Sequence, residues 1–340
     1  MTIETPNTNL TDDMLPAKRN AIQGVIKKLS GSNITVLFVL FFVIVVWGSL
    51  TNDAFVRRQN IQNIMRTGAI IGITGLGATA VLLVGEMDIS MGAVMSFTTL
   101  LGGMLIGRLP GQFTPILMTL IFGLLVGSFI GLLITKLKIK AIMATLGAMN
   151  LFAGLAYLLT AGLPILLYNA PLYKKMGTGT LAGFPFSFVV FILLALIMHF
   201  ILTYTSFGKE LYFTGANSRA AWLSGINTDL MKTVSFAFSG MCSALAGMFL
   251  AGQTNQLIAT LGVGYELSGI AIAVLGGTAI GGGRGSVLGT VLGATTYQVL
   301  LNLLALSGLG TYVEQVLRGG LLIIIVVVYQ VMNTRRLGRR

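Results

Sequence analysis

Four acids lie in or beside long apolar runs of the sequence: Glu86, Asp88, Glu266 and Glu314. A carboxylate in hydrocarbon is costly enough to be a functional candidate by default, and the chemistries open to it are gating, path lining and proton transfer. The plainer alternative for Glu86, Asp88 and Glu266 is a cap on the helix that follows, whose N-terminal end favours negative charge. Glu314 stands four residues before Arg318, and an ion pair on one helix face accounts for both. Covalent chemistry has no visible machinery. The run Gly281-Gly282-Gly283-Arg284-Gly285-Ser286 is glycine-rich but lacks the Lys-Ser/Thr ending of a phosphate-gripping loop. Neither H-E-x-x-H nor G-x-S-x-G occurs. His199 is the single histidine and Cys242 the single cysteine, which excludes a His-rich metal cluster and an internal disulfide.

The elements that must position those acids follow from composition. Of the 340 residues only 9% are charged and 55% are hydrophobic, with a mean hydropathy of +0.88. A water-facing surface needs more charge, so a soluble enzyme and a disordered chain are excluded and an all-α polytopic membrane protein remains. The 22 basic residues outnumber the 10 acidic ones, but they fall between apolar runs. They are loop charges that orient helices in a bilayer, not a nucleic-acid face. Scanning for runs of about 20 apolar residues gives about ten transmembrane helices, over 33–51, 66–84, 89–107, 114–135, 141–160, 185–204, 233–251, 265–281, 286–304 and 313–332. With the amino terminus inside, fifteen basic residues fall on inner segments and seven on outer ones, which places both termini in the cytoplasm. Residues 1–32 are then a cytoplasmic tail, 33–332 the membrane domain and 333–340 a basic cytoplasmic tail. The first apolar run lacks a small-residue cleavage site and is expected to remain as a span.

Three glycine patterns place small residues on one helix face: Gly68-x-x-x-Gly72, Gly123-x-x-x-Gly127-x-x-x-Gly131 and Gly285-x-x-x-Gly289-x-x-x-Gly293. Such spacing lets backbones approach closely, most simply within the chain. The largest inner segment, 205–232, is punctuated by Gly208, Gly215, Asn217, Gly225 and Asn227 around a short helix near Ser218–Leu223, with Asn217 or Ser218 as its cap. So short a helix is unstable alone and must dock on something. Gly85-Glu86-Met87-Asp88-Ile89-Ser90 and Gly264-Tyr265-Glu266-Leu267-Ser268 share an acid–aliphatic–serine core. With one inside and the other outside, they suggest an inverted repeat of spans 2–5 and 7–10, with the path between.

Four ordered segments, Gly85–Phe97, Lys138–Ile165, Thr205–Asn227 and Gly276–Ala294, resemble the permeases of bacterial ABC importers for simple sugars, the ribose, xylose, arabinose, galactose and autoinducer-2 group. The resemblance implies a permease in the inner membrane that passes a monosaccharide or similar small polyol and binds no cofactor itself. Its implied partners are a second permease subunit, identical or a close relative, a cytosolic ATPase that uses ATP and Mg, and a periplasmic sugar-binding protein. By the same resemblance residues 205–232 are the ATPase-coupling loop, with matched positions Gly208, Lys209, Gly215, Asn217, Ala220, Ala221 and Gly225. Glu86 and Lys209 depart from the residues usual in that family, which have an apolar side chain and an arginine there. A sugar path calls for neutral polar side chains, and the candidates are Asn150, Gln253, Asn255, Gln298 and Asn302 beside Glu86, Asp88, Ser90 and Glu266. Interhelical hydrogen bonding explains the amides equally well. The competing class is a secondary transporter coupled to protons or sodium, for which the three acids would be the coupling groups.

Overall fold

The computed structural model describes residues 33–167 and 170–308, and single positions between 313 and 327. The two tails, most of the span expected over 313–332, and the Glu314–Arg318 pair lie outside the described residues. The architecture is helical: α1 (Asn33–Thr51), α2 (Arg58–Leu83), α3 (Met91–Gly103), α4 (Phe113–Lys136), α5 (Ala141–Thr160), α6 (Pro171–Thr178), α7 (Phe186–Tyr204), α8 (Ser206–Ala216), α9 (Ser218–Leu223), α10 (Thr228–Thr254), α11 (Tyr265–Leu275) and α12 (Val287–Leu306). Two short antiparallel pairs sit at one end: β1 (Ile165–Leu166) with β4 (Gln256–Leu257), and the hairpin β2 (Thr180–Leu181) with β3 (Phe184–Pro185). That end is called far below, and the end carrying α8 and α9 near.

Nine of the expected spans coincide with helices, but only seven of those helices are long and apolar enough to cross a membrane. The runs expected to span over 89–107 and 265–281 contain α3 and α11, of 13 and 11 residues. At about 1.5 Å per residue these reach about 20 and 17 Å, short of the ~30 Å hydrocarbon layer. Each is preceded by non-helical backbone, 84–90 before α3 and 258–264 before α11. Apolar composition alone does not distinguish a full span from an extended arm followed by half a helix. Non-helical backbone is tolerated at membrane depth where protein covers it.

Two helices form the centre. From Gly68 to Leu83 every residue of α2 is buried, the mark of a helix apolar on all sides. It packs against α10, α11 and α12, while α10 also packs along α4 and α3. The peripheral helices show large apolar side chains outward, among them Phe38 and Phe42 on α1, Leu125 on α4 and Phe200 on α7. A lipid-facing surface has this composition.

Glycine sets how closely the central helices approach. A methyl group on Gly127 would lie 2.2 Å from the Phe236 carbonyl oxygen, and one on Gly240 would lie 2.2 Å from that of Gly123. The α4 glycine row therefore packs directly on α10. On α12, Gly289 meets the Gly276 carbonyl and Gly293 that of Ile272, so this row packs on α11 and the turn after it. The intramolecular role of these patterns follows.

Gly127→Val should lower the thermal stability of the detergent-solubilised chain by about 1–3 kcal/mol, as overpacking does. Gly154→Val, where nothing lies within 4 Å, should leave it unchanged. Paired melting curves check this, and equal melting of the two variants would contradict the crossing.

Candidate functional site

At the near end the chain between α7 and α10 folds as two helices in series. The Thr205 hydroxyl caps α8 by accepting from Gly208 N–H at 3.2 Å, and Asn217 Oδ1 caps α9 by accepting from Ala220 N–H at 3.0 Å. Gly225 ends α9: it stands at φ +87°, its N–H donates to Trp222 O at 3.0 Å, and Ile226 N–H donates to Ala221 O at 3.1 Å. This pairing is the Schellman closure, whose left-handed residue favours glycine. Asn227 Oδ1 then caps α10 through Leu230 N–H at 3.0 Å. The helix expected near Ser218–Leu223 is α9, with Asn217 as cap. The preceding α8 was not anticipated, although a Thr before its first turn and leucine, tyrosine and phenylalanine at 211–213 signal it.

This pair of helices is fastened to the bundle through backbone. Gly208 packs on the end of α7, where an added methyl would stand 2.4 Å from Ile201 O. Gly215 sits against the end of α2 so closely that an added methyl would lie 1.8 Å from Leu83 O and 2.5 Å from Gly283 N. Gly283 N–H itself donates to Leu83 O at 2.9 Å, and the Tyr212 hydroxyl donates to Gly285 O at 3.0 Å. The glycine run 281–285, which is no phosphate loop, thus lets the turn after α11 touch α8 and α2 at once. The outer face of the segment carries Lys209, Ala220, Phe213, Trp222 and Leu223, the last three 61%, 56% and 69% exposed. Arg219 lies over the Trp222 ring at 5.0 Å.

The interior holds the second part of the site, where the two interrupted helices begin. After α2 the chain turns back between helices. Asp88 Oδ1 accepts from the Ser90 N–H at 2.9 Å and the Ser90 hydroxyl at 2.5 Å, and Oδ2 accepts from the Ser239 hydroxyl of α10 at 2.8 Å. Glu266 reaches back to accept from Gly264 N–H at 3.1 Å, so its carboxylate closes the start of α11. The two starts touch: a methyl on Gly92 would lie 2.3 Å from Gly262 O and 2.1 Å from Glu266 Oε2, while Gly262 N–H donates to the Ser96 hydroxyl at 2.9 Å. Glu86 is bound differently. Its Oε1 accepts from Lys232 Nζ at 2.6 Å.

Beside the start of α11 a cavity of about 190 Å³ is lined by Asn63, Thr67, Tyr265, Ser268, Gln298 and Asn302 together with apolar side chains of α2 and α12. All its polar groups are neutral. Of the five amides singled out from sequence, the fold brings Gln298 and Asn302 here. Asn302 exchanges hydrogen bonds with Asn60 of α2 at 2.9 and 2.8 Å. Gln298 is nearly buried beside Gly68. The other three lie elsewhere. Asn150 is exposed on α5, with its amide bonded to Leu146 O at 3.0 Å. Asn255 is the left-handed residue that ends α10, at φ +57°. Gln253 Oε1 is buried near α6 without a partner among the described residues. Asn60 and Asn63 were missed because they precede the apolar stretch expected over 66–84, and Thr67 because it stands in the first turn of that stretch. Their i, i+3, i+7 spacing was the available signal.

Asn60→Leu should destabilise the chain by about 1–3 kcal/mol, since it takes from the buried Asn302 amide its Asn60 partner. Asn302→Leu should cost less, since half-buried Asn60 keeps Phe55 O at 3.0 Å, and the double variant should lose less than the sum of the two. A double-mutant cycle on thermal unfolding measures it.

Comparison with known proteins accords with this geometry. Residues 60–326 match the family described as the permease component of branched-chain amino acid transport systems. The ribose import permease protein of Bacillus subtilis (strain 168) is 36% identical over 311 residues, 91% of this chain and 94% of that protein. The ribose import permease protein of Haemophilus influenzae is 32% identical over 303 residues, 88% and 94% of the two chains. The autoinducer 2 import system permease protein of Shigella flexneri is 32% identical over 263 residues, 77% and 76% of the two. A solved metal-chelate type ABC transporter in an inward-facing conformation shares the fold, with a TM-score of 0.54 at 18% identity over 86% of this chain and 98% of that one. By the extent of these matches and by its own bundle of apolar helices, the chain belongs to this family of transport permeases, the membrane-spanning subunits of ATP-binding-cassette importers.

Proposed function

We propose that this permease carries a monosaccharide, or a polyol of similar size, across a bacterial inner membrane. Its relatives include ribose import permeases, and the cavity beside α11 offers amides and hydroxyls but no charge. A neutral polyol gains as much from such groups as from an ion, without the cost of burying one.

The observation that carries the importer reading is the α8–α9 segment. Phe213 on α8 and Trp222 and Leu223 on α9 are exposed, and apolar groups exposed on the water side of a membrane protein mark a protein contact. The partner is a cytosolic ATPase, which handles ATP and Mg, since this chain has no nucleotide-gripping motif. The near end and both termini then face the cytoplasm, and the far end, with β1–β4 and α6, meets a periplasmic binding protein. A second permease subunit completes the path. Residues 205–232 act as the coupling loop, with Gly208, Lys209, Gly215, Asn217, Ala220, Ala221 and Gly225 shaping it. The two arm-plus-half-helix units, entered from opposite ends, support an inverted repeat of the halves. The acids that an ion-coupled carrier would need are already engaged, Glu86 by Lys232, Asp88 by two serines and Glu266 by its own helix start.

In liposomes holding the permease, its ATPase and its binding protein, uptake of the cognate sugar should require ATP and persist when proton and sodium gradients are dissipated. Accumulation by the permease alone, lost on dissipating a gradient, would overturn the reading. Gly215→Val should separate sugar uptake from ATP hydrolysis by the complex, which is expected to continue, since α8 must lift off Leu83 to admit the side chain. Sugar uptake is expected to fall at least about tenfold, a coupling of ordinary size, with the chain still inserted in the membrane. Gly225→Ala should cost about 1–2 kcal/mol of backbone strain and weaken coupling less.

A further inference from the structure

Two ion pairs occur among the described residues. Lys138–Asp229 spans 3.4 Å with side chains 73% and 37% exposed, whereas Lys232–Glu86 spans 2.6 Å with side chains 21% and 19% exposed. The second is much the more sheltered, and its place in the fold is specific. Gly85 N–H donates to Leu82 O at 2.9 Å and Glu86 N–H to Val81 O at 3.2 Å, with Gly85 at φ +81°. Glu86 is therefore the last member of the closing turn of α2, held where the negative end of that helix disfavours a carboxylate. Lys232 lies in the second turn of α10, near a helix start that disfavours a cation. Each charge is unfavourably placed on its own helix and favourably placed beside its neighbour. The pair is stabilising only while the end of α2 and the start of α10 stay together.

The same contact joins two machines. Asp88, two residues after Glu86, binds Ser239, seven residues after Lys232. The arm leading to α3 is thus tied to α10 at two points about 10 Å apart along the helix. The start of α10 is separated from α9 only by residues 224–227, so a displacement of α9 reaches the first turns of α10, which carry Asp229 and Lys232.

Building on the importer reading, we infer that Glu86–Lys232 is a positioning contact that latches the start of α10 to the α2–α3 arm and holds the coupling segment in its present conformation until sugar-loaded binding protein arrives. A contact made in one conformation and broken in the other biases the equilibrium by its own worth. For a sheltered pair worth about 1 kcal/mol the bias is about fivefold.

The test uses the complete complex of permease, ATPase and binding protein in liposomes. Glu86→Gln and Lys232→Met should each raise ATP hydrolysis in the absence of binding protein about fivefold, with little change in the stimulated rate. The exchanged pair Glu86→Lys with Lys232→Glu should return it to within about twofold of wild type, and Glu86→Asp should do so in part. Unchanged or lowered unstimulated hydrolysis in the single variants, or an exchanged pair that behaves as either single, would overturn the proposal. A merely structural role would lower both rates together and leave their ratio unmoved. Thermal unfolding of the purified wild-type permease, of Glu86→Gln, of Lys232→Met and of the variant carrying both reads the pair without transport. A cycle showing no coupling between Glu86 and Lys232 refutes the latch, even if the single variants do not assemble with the ATPase. Absence of ATP-driven sugar uptake in the wild-type complex would instead strike the functional reading, and that cycle would still decide whether the pair exists.

Discussion

Inside a bilayer no water stands ready to bond a free peptide group, and this constraint governs the molecule. Most of the chain meets it with unbroken helices. Two stretches, 84–90 and 258–264, do not, and each is supplied from side chains. Asp88 takes the Ser90 N–H, Ser96 takes the Gly262 N–H, and Glu266 takes the Gly264 N–H. The acids that look most like transport groups are in large part the groups that make these interruptions tenable. Val84, Asp88 and Ser90 of the first stretch and Leu261 and Gly262 of the second are buried.

Close approach is the second requirement, and glycine answers it. An apolar side chain has little to gain by leaving lipid for another helix, so association relies on packing and on backbone contacts. At the near end this becomes a junction: Leu83, Gly85, Gly215, Gly282 and Gly283 lie within contact of one another, joining α2, α8 and the turn after α11. A junction whose closest contacts run through backbone has little freedom to adjust by rotamer changes. Movement of α8 is transmitted to the end of α2 and to α11 as a displacement of backbone. That property suits a segment placed between an energy-converting subunit and a path.

Polar chemistry is distributed according to the same logic. The polar groups that line the cavity are neutral, and the Asn60–Asn302 amide pair fastens its wall. The two acids of the interior, Asp88 and Glu266, are held by hydroxyls and backbone N–H groups. The more sheltered ion pair of the described residues, Glu86–Lys232, sits where the end of α2 meets the start of α10, and neither residue lines the cavity.

Composition, apolar run length and the placement of lysine and arginine determined by themselves that the chain is a helical membrane protein, because transfer into lipid depends on side-chain identity and little else. The capping residues were legible for a similar reason, since Asn217 and Gly225 act within four residues of themselves. Ordered motifs carried the family. What only the tertiary structure decided was contact between remote segments. It showed that α3 and α11 are half-helices, since an apolar residue reads alike in a helix and in a covered arm. It separated Gln298 and Asn302, which share a cavity, from Asn150 and Asn255, which do not. It paired Glu86 with a lysine 146 positions away, because a charge states its need for a partner in the sequence but not which partner folding brings beside it.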